Sequence, residues 1–379
     1  MMATQRDQST KKQSIKNQGR KATLTTVHVV QHLAPGGLET MVIELLKQTP
    51  AHERCYIISL EGTQQQAIQH WPILRHFQSQ LVFLDKAEGF QLSLIKQLSA
   101  ELKRLSADVV HTHHIGPLLY GGIAARMARI TTCIHTEHDM WHLQNTKRRH
   151  VETLALKLVN PILVADADEV SKQLNELFPF TESKVIKNGI DCNRFVPANQ
   201  AAARRILGLP ADTLIIGTAG RLVPVKSHTT LIKAVSRLPE NTHLAIAGAG
   251  PLEQELKQLC QHLNIRHRVH FLGLVSDMPS FYQSLDLFCL PSSCEGFPLS
   301  PLEAQACNIP VVVTDVGAAR ETLCPLSGLT TKSKRVFSLL ATLEKAMATR
   351  HLFTPRDFVV EHNDVRTMSQ AYRALAVKA

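Results

Sequence analysis

The sequence predicts an α/β fold with two doubly wound, Rossmann-like parallel sheets, and three observations support this prediction. Short apolar strands alternate with amphipathic helical stretches along most of the chain. The length of 379 residues suggests about two domains. A polar, proline-containing run follows the Asn188-Gly189 turn signal near the middle of the chain. We therefore expect the domain change between residues 190 and 212.

Charge and composition exclude several classes of protein. The formal net charge is +10, but residues 1–22 hold six basic residues and one acidic residue. This polar segment predicts a disordered basic tail, not a signal peptide. A second basic run, Lys147–His150, is more typical of solvated surface than of a membrane or polyanion contact. We expect no nucleic-acid partner and leave a peripheral contact with an anionic membrane open.

Hydropathy and cysteine usage predict a cytoplasmic protein. No run approaches the roughly 18 consecutive apolar residues that a membrane-spanning helix needs. The eight cysteines form no Cys-x-x-Cys pair, and several lie in apolar segments. These features predict reduced core cysteines in a cytoplasmic protein, peripheral to the membrane at most, and no structural zinc site.

The first half contains a candidate ligand loop and a histidine-rich region. The strand at residues 25–31 leads to Gly36 and Gly37 and then to a helix over residues 38–47, and such a turn lets backbone approach a ligand closely, although it is also typical of an ordinary turn. Further strands are predicted at 55–60, 80–85, 108–113 and 132–138, and residues 164–170 are predicted to form another strand and its turn. Histidines at the strand ends form two groups: His111, His113 and His114, then His135 and His138. Without helical His-x-x-x-His spacing, local hydrogen bonding is favoured over a metal site.

The second half opens with a predicted strand that ends at residues 217–220. Arg221 and Lys226 follow in the loop before a helix that begins near His228. A guanidinium fork and an ammonium beside a glycine turn predict a diphosphate clamp, although surface charge is the simpler alternative. Strands at 243–248 and 269–273 follow. A dinucleotide fingerprint fails because Glu253 stands where the third glycine is required.

Residues 289–316 form the most informative stretch. An apolar strand breaks at Pro291, Glu295 follows in the loop, and a helix is predicted from Ser300. Ser300 and Glu303 have capping-box spacing, and the start of the helix is suited to an anion. Asn308 is predicted to close the helix in a left-handed conformation before a strand at residues 311–313.

These motifs resemble the large retaining GT-B glycosyltransferase family that includes sucrose synthase and bacterial mannosyltransferases, the glycosyl transferases of group 1. Glu295 and Glu303 match its Glu-x7-Glu motif, and Thr136-Glu137-His138 matches its Thr-x-His pattern. The phrase Asn-Gly-Ile-Asp at 188–191 and Gly-Arg-Leu at 220–222 also match. Ser227 departs from the pattern because glycine is usual after the lysine. The resemblance covers about residues 25–375 and implies a GT-B fold with two Rossmann-like domains facing a cleft.

The resemblance also implies roles for individual residues. Arg221 and Lys226 would stabilise the leaving diphosphate, while Glu295 and His138 would hold the donor sugar. Glu303 would bind the ribose, as part of a donor site that is expected to contain Gly36, Gly37, Phe297, Leu299 and Ser300. His113 and His114 are weaker candidates on the acceptor side. No metal and no cofactor are expected, because the nucleotide-sugar is a substrate.

We therefore expect a retaining hexosyltransferase that uses a nucleotide-diphosphate-sugar and a glycan or lipid-linked acceptor, in bacterial polysaccharide or glycolipid assembly. The predicted domains are residues 23–195 on the acceptor side and 196–363 for the nucleotide-sugar. Residues 364–379 are predicted to form a helix that crosses back to the first domain. A sugar-nucleotide epimerase on the same fold and a non-catalytic sugar or polyanion binder are the alternatives.

Overall fold

The computed structural model describes residues 23–378. The predicted basic tail, residues 1–22, lies outside the described residues. The first sheet has seven parallel strands in the spatial order β3-β2-β1-β4-β5-β6-β7. The strands are β1 (Thr25–Val30), β2 (Arg54–Ser59), β3 (Leu81–Phe83), β4 (Val109–His113), β5 (Thr132–Glu137), β6 (Ile162–Ala165) and β7 (Lys184–Val185).

Helices cover both faces of the first sheet, as a parallel sheet requires. They are α1 (Gly37–Lys47), α2 (Gln64–His70), α3 (Leu92–Arg104), α4 (Ile115–Pro117), α5 (Ile123–Ala128), α6 (Thr146–Val159) and α7 (Asp168–Leu177). A π-helical turn, Leu118–Gly122, joins α4 to α5. Val27 and Val29 pack in one apolar cluster with residues of α3 and α5, whereas His28 and His111 lie beside residues of α1 and of the last helix.

The second sheet has six parallel strands in the order β10-β9-β8-β11-β12-β13. The strands are β8 (Leu214–Ala219), β9 (Thr242–Ala247), β10 (Val269–Gly273), β11 (Leu287–Leu290), β12 (Val311–Thr314) and β13 (Leu329–Thr331). The remaining helices are α8 (Gln200–Leu207), α9 (His228–Val235), α10 (Glu253–His262), α11 (Met278–Gln283), α12 (Ser300–Ala306), α13 (Val336–Thr349), α14 (Arg356–His362) and α15 (Val365–Lys378).

Both sheets are doubly wound, as predicted. The strand order reverses between β1 and β4 in the first sheet and between β8 and β11 in the second. Ligands of such sheets bind outside the carboxyl ends of the strands at this reversal. The loops that follow β1, β4, β8 and β11 are therefore the ones to search for a site, and they contain most of the predicted site residues.

The last helix, α15, returns to the first sheet. The Tyr372 hydroxyl lies 3.2 Å from Oγ1 of Thr136 on β5, and its ring packs against His111 with centroids 4.7 Å apart. Arg373 forms a bidentate ion pair with Glu53, in which one Nε to Oε2 distance is 3.0 Å. Nothing among residues 23–378 forms a helix long and apolar enough to cross a membrane.

The local predictions for residues 289–316 were partly wrong. Asn308 does adopt a left-handed conformation, with φ of 65°, and β12 follows it. The capping box is absent, because α12 begins at Ser300 itself and the residue before it, Leu299, makes no side-chain cap. Ser300 and Pro301 thus occupy the first turn, and the Glu303 carboxylate is engaged elsewhere.

Candidate active site

A cleft of about 780 Å³ lies between the carboxyl ends of the two sheets, within the range of small-molecule sites. The first domain contributes the loop after β1 and the end of β4, and the second contributes the loops after β8, β9 and β10. Six of the predicted site residues line the cleft: Gly36, Gly37, His113, His114, Arg221 and Lys226.

The loop after β1 is shaped by Gly36. A side chain at this position would overlap the carboxylate of Glu39, which pairs with His32 at 3.1 Å. Because Gly37 is the first residue of α1, the loop brings the unpaired N–H groups of a helix start to the cleft. The helix dipole favours an anion there.

The loop after β8 approaches the loop after β9 very closely. Gly220 and Gly248 have φ of 150° and 144°, and a side chain at Gly248 would overlap the carbonyl oxygen of Gly220. The Leu222 N–H also donates to the Ala249 carbonyl at 3.0 Å. This contact holds the backbone on either side of Arg221, whose side chain is exposed in the cleft.

Lys226 and Glu295 form an ion pair although they lie 69 positions apart in the sequence. Nζ of Lys226 donates to Oε1 of Glu295 at 2.6 Å, and both side chains are largely buried. The loops after β8 and β11 meet here because those strands are neighbours in the second sheet. The Glu295 carboxylate thus holds the Lys226 ammonium in place.

The Glu295-Gly296 peptide lies between the two domains. A side chain at Gly296 would overlap the carbonyl oxygen of His138 in the first domain. Gly317 has φ of 52°, and a side chain there would overlap the carbonyl oxygen of Glu295. Gly296 and Gly317 therefore allow close backbone approaches that fix the position of the loop at Glu295.

The predicted donor-site residues that follow this loop are partly or fully buried. Phe297 and Leu299 are buried in the apolar core, and Ser300 is half-buried. Oε2 of Glu303 accepts a hydrogen bond from the Tyr282 hydroxyl at 2.5 Å. Burial raises the pKa of the Glu303 carboxyl, and the Tyr282 hydrogen bond offsets part of this effect.

A chain of buried side chains runs inward from the cleft. Nδ1 of His138 lies 3.2 Å from Oδ2 of Asp166, which also accepts from the Asn188 amide at 2.9 Å. Nε2 of His138 lies 3.1 Å from Nδ1 of His113, whose Nε2 lies 3.2 Å from Nδ1 of His28. If each Nδ1 carries the proton, every link has one donor and one acceptor. Both ring nitrogens of His138 are then bound within the protein.

A second group of histidines surrounds Glu137, which is fully buried. Its carboxylate lies 3.2 Å from His114 Nδ1 and 2.9 Å from His135 Nε2, and the latter also lies 3.2 Å from Glu152. Burial alone would lower the pKa of His114, but Glu137 and Asp139 raise it to about 9. Burial opposes the same rise at His135, where Glu137 and Glu152 bring the pKa to about 9.

Three sets of side chains within residues 23–378 lie close enough to share a metal ion. They are His28, His111 and His113; His114, Asp139 and His142; and His135, Glu137 and Glu152. The sequence places Glu137 and Asp139 beside His138, but only the fold brings His114 to both of them and Glu152 to His135. Internal hydrogen bonds occupy most of the histidine nitrogen atoms in these sets. Metal independence stays a prediction.

Several cleft residues were not predicted from the sequence. Gln31 and Trp141 line the cleft, and Trp141 is exposed there. The signal for Trp141 was present, since it is one of two tryptophans and follows the histidine-rich end of β5. Leu274, Val275 and Met278 also line the cleft. These three do not count among the missed residues, because the family resemblance implies that residues 274–278 hold the nucleotide base.

Two family models match the chain, one in each half. The model described as Glycosyltransferase Family 4 matches residues 35–194, and the one described as Glycosyl transferases group 1 matches residues 199–357. The structure is similar to a crystal structure of Anabaena HepE in complex with UDP, with a TM-score of 0.82 and 20% identity over 94% of this chain and 100% of that chain. This likeness confirms the GT-B fold.

Curated relatives are similar over part of their length. The UDP-Gal:alpha-D-GlcNAc-diphosphoundecaprenol alpha-1,3-galactosyltransferase of Escherichia coli is 32% identical, over 59% of this chain and 64% of the relative. A D-inositol 3-phosphate glycosyltransferase of Mycolicibacterium smegmatis is 34% identical, over 55% of this chain and 52% of the relative. The matches thus span between 52 and 64% of these relatives. A family model in each half and a GT-B fold throughout together support a glycosyl transferase of group 1.

Proposed function

We propose that this protein transfers a sugar from a nucleotide-diphosphate-sugar to an acceptor hydroxyl, with retention of the anomeric configuration and without a metal. The observation that carries the proposal is that Arg221 and Lys226 line one cleft and that Glu295 pairs with the Lys226 ammonium. The glycine loop at Gly36 and the histidines after β4 face them from the other domain.

Arg221 and Lys226 suit a diphosphate. A guanidinium offers a planar fork of donors and an ammonium adds a mobile point charge. In this cleft they would neutralise the charge that develops on the leaving diphosphate, a task that a divalent cation performs in other sites. Because Glu295 already holds Lys226 at 2.6 Å, the ammonium needs little reorganisation when the donor binds.

Glu295 is placed to bind the hydroxyl groups of the donor sugar. Its carboxylate uses one oxygen for Lys226, so the second oxygen can accept from a sugar hydroxyl. Glu303 is paired only with the Tyr282 hydroxyl through Oε2, and its other oxygen would accept from the ribose. His138 remains a predicted donor-sugar residue, held by Asp166 and His113.

The relatives favour the same donor class and a biosynthetic role. The similar HepE structure contains UDP, and the similar Escherichia coli enzyme is named for a UDP-Gal donor and a diphosphoundecaprenol acceptor. We infer a nucleotide-sugar donor and a glycan or lipid-linked acceptor in glycolipid or polysaccharide assembly. Retention is part of the proposal because the family resemblance implies it, and the leaving phosphate would accept the proton of the acceptor hydroxyl in place of a dedicated base. Metal independence is part of it because Arg221 and Lys226 would neutralise the leaving diphosphate.

The test measures donor binding and turnover in the variant Arg221→Gln. The control is Arg335→Gln, because Arg335 is exposed in the same domain and lies outside the cleft. Nucleoside diphosphates should raise the melting temperature of the wild type. Arg221→Gln should lose about a hundredfold in turnover, equivalent to roughly 3 kcal/mol, whereas Arg335→Gln should match the wild type.

Four outcomes would contradict parts of the proposal. Wild-type turnover in Arg221→Gln would exclude the diphosphate clamp. Complete loss of activity with a chelator, restored by one divalent ion, would exclude metal independence. Epimerised donor formed without any acceptor would favour the epimerase, and donor binding with neither reaction would favour a non-catalytic binder.

A further inference from the structure

Helix α6 begins beside the mouth of the cleft. A short 3₁₀ turn, Trp141–Gln144, follows β5 and leads directly into α6 through the Asn145 cap. Trp141 lines the cleft and its side chain is 57% exposed. Whatever covers the outer face of α6 therefore lies next to the entrance of the candidate active site.

The outer face of α6 has an apolar stripe. Val151, Leu154 and Leu158 are 38%, 68% and 62% exposed, and their spacing of three and four residues places them in one row. The inner face of the same helix is buried through Ala155, Leu156 and Val159. A helix that is apolar on the side away from its own core marks an interaction surface.

Positive charge surrounds this stripe. Lys147, Arg148 and Lys157 are exposed on α6, and the only carboxylate of the helix, Glu152, is fully buried against His135. The Lys157 ammonium also lies 4.9 Å from the ring centroid of Phe180, another half-exposed apolar side chain. The outer face is thus apolar and cationic, without an exposed acid on α6.

The distribution of charge along α6 is unfavourable for the helix itself. The first turn contains Lys147, Arg148 and Arg149 and no acidic residue, although the positive end of the helix dipole favours acids there. A local rule that is broken without a compensating contact is typical of a functional surface. These basic residues fit an external anion better than they fit the isolated helix.

We propose that the outer face of α6 docks onto an anionic phospholipid surface. Leu154 and Leu158 would enter the boundary of the acyl chains, while the lysines and arginines would contact phosphate groups with their stems along the interface. A single convex helix with three aliphatic side chains offers no pocket for the aromatic anchors of a protein partner.

This contact would place the Trp141 edge of the cleft at the membrane surface. If the proposed transfer to a lipid-linked acceptor is correct, the acceptor headgroup would reach the cleft from the surface along which it diffuses. That last step rests on the proposed function. The docking itself does not, because it depends only on the surface of α6.

The experiment is vesicle flotation with the full-length chain. Phosphatidylcholine vesicles are compared with vesicles that also contain phosphatidylglycerol. The variant Leu154→Ser/Leu158→Ser removes the stripe without changing charge, so any attraction from the basic residues 1–22 is the same in both proteins. Ile206→Ser is the control, because Ile206 is equally exposed on α8 beside Arg205.

The wild type and Ile206→Ser should float with the anionic vesicles and not with phosphatidylcholine alone. The double variant should partition about tenfold less or weaker still, from the loss of two inserted side chains. Equal flotation of the double variant would overturn the proposal. The proposal would also be overturned if the wild type floats with neither vesicle. An oligomeric wild type beside a monomeric double variant would then identify the stripe as a protein contact. If nucleoside diphosphate raises the melting temperature of the double variant as much as that of the wild type, the double variant is folded. Its donor site is then intact, so a failure of membrane docking is distinguished from a failure of the proposed function.

Discussion

Ser227 is the clearest departure from the family pattern, and the structure explains why glycine is usual there. It adopts φ of 51° at the start of α9, in the left-handed region that costs most side chains about 1 kcal/mol or more. Ser227→Gly should therefore raise the free energy of unfolding by up to about 1 kcal/mol. Chemical denaturation measures this change.

A matched control lies at the other end of the same helix. Ser236 follows the last residue of α9 with φ of −61°, which suits serine. Ser236→Gly should lower the free energy of unfolding by about 0.5 to 1 kcal/mol. A loss of stability in both variants would mean that the left-handed conformation of Ser227 carries no strain.

At the scale of single residues, the sequence predicted which residues lie at the cleft better than it predicted their contacts with one another. Arg221, Lys226, His113 and His114 do line one cleft, because strand ends of a doubly wound sheet meet at one edge. The pairing of Lys226 with Glu295 could not be predicted, since it depends on which strands are neighbours. The capping box at Ser300 failed for a related reason. Tyr282, from another helix, competes for the Glu303 carboxylate.

At the scale of elements, α15 fastens the end of the chain to the first sheet. Tyr372 is buried and packs on His111, and its hydroxyl reaches Thr136. Tyr372→Ala should lower the free energy of unfolding by about 3 to 5 kcal/mol, the range for truncating a buried aromatic side chain. Urea denaturation checks this value.

The control for this prediction is on the same helix. Val377 is largely exposed, so Val377→Ala should change stability by less than about 0.5 kcal/mol. Equal effects of the two substitutions would show that α15 contributes through helix propensity and not through its contact with the sheet.

Most strands, and the starts of α1, α9, α12 and α15, were predicted from the sequence to within a few residues. The apolar runs of these elements are strong, and tertiary contacts do not override their preferences. The exceptions are β7 and β13, which have two and three residues and are largely not apolar. Such short strands form because an adjacent strand offers free backbone N–H and C=O groups. A local sequence pattern does not indicate where these groups lie. Residues 164–170 were predicted to form a strand and its turn, whereas β6 ends at Ala165 and α7 begins at Asp168.

At the scale of the whole molecule, buried histidines predict a stability maximum near pH 6.5. Burial lowers the pKa of His28 to about 4, and it also lowers the pKa values of His111 and His113. Below pH 6.5 these histidines bind protons in the unfolded chain but stay neutral in the folded protein, so the unfolded state is favoured. Each such group should cost up to about 1.4 kcal/mol per pH unit as the pH falls toward 4.

Above pH 6.5 the stability falls because two other histidines have raised pKa values. His114 and His135 hold their protons up to about pH 9 in the folded state, through Glu137 and its neighbours. Their stabilisation is complete below pH 6.5 and is lost as the pH rises to about 9. Denaturation midpoints between pH 5 and 9 measure both limbs. A flat profile over this range would contradict the assigned protonation states.

The return of α15 to the first sheet has a consequence for synthesis of the chain. The imidazole-lined side of that sheet is covered by a helix that is synthesised after the whole second domain. The first domain therefore cannot complete its native packing while it emerges, although domains usually fold in order of synthesis. Until α15 has been made, this side of the sheet lacks its native cover.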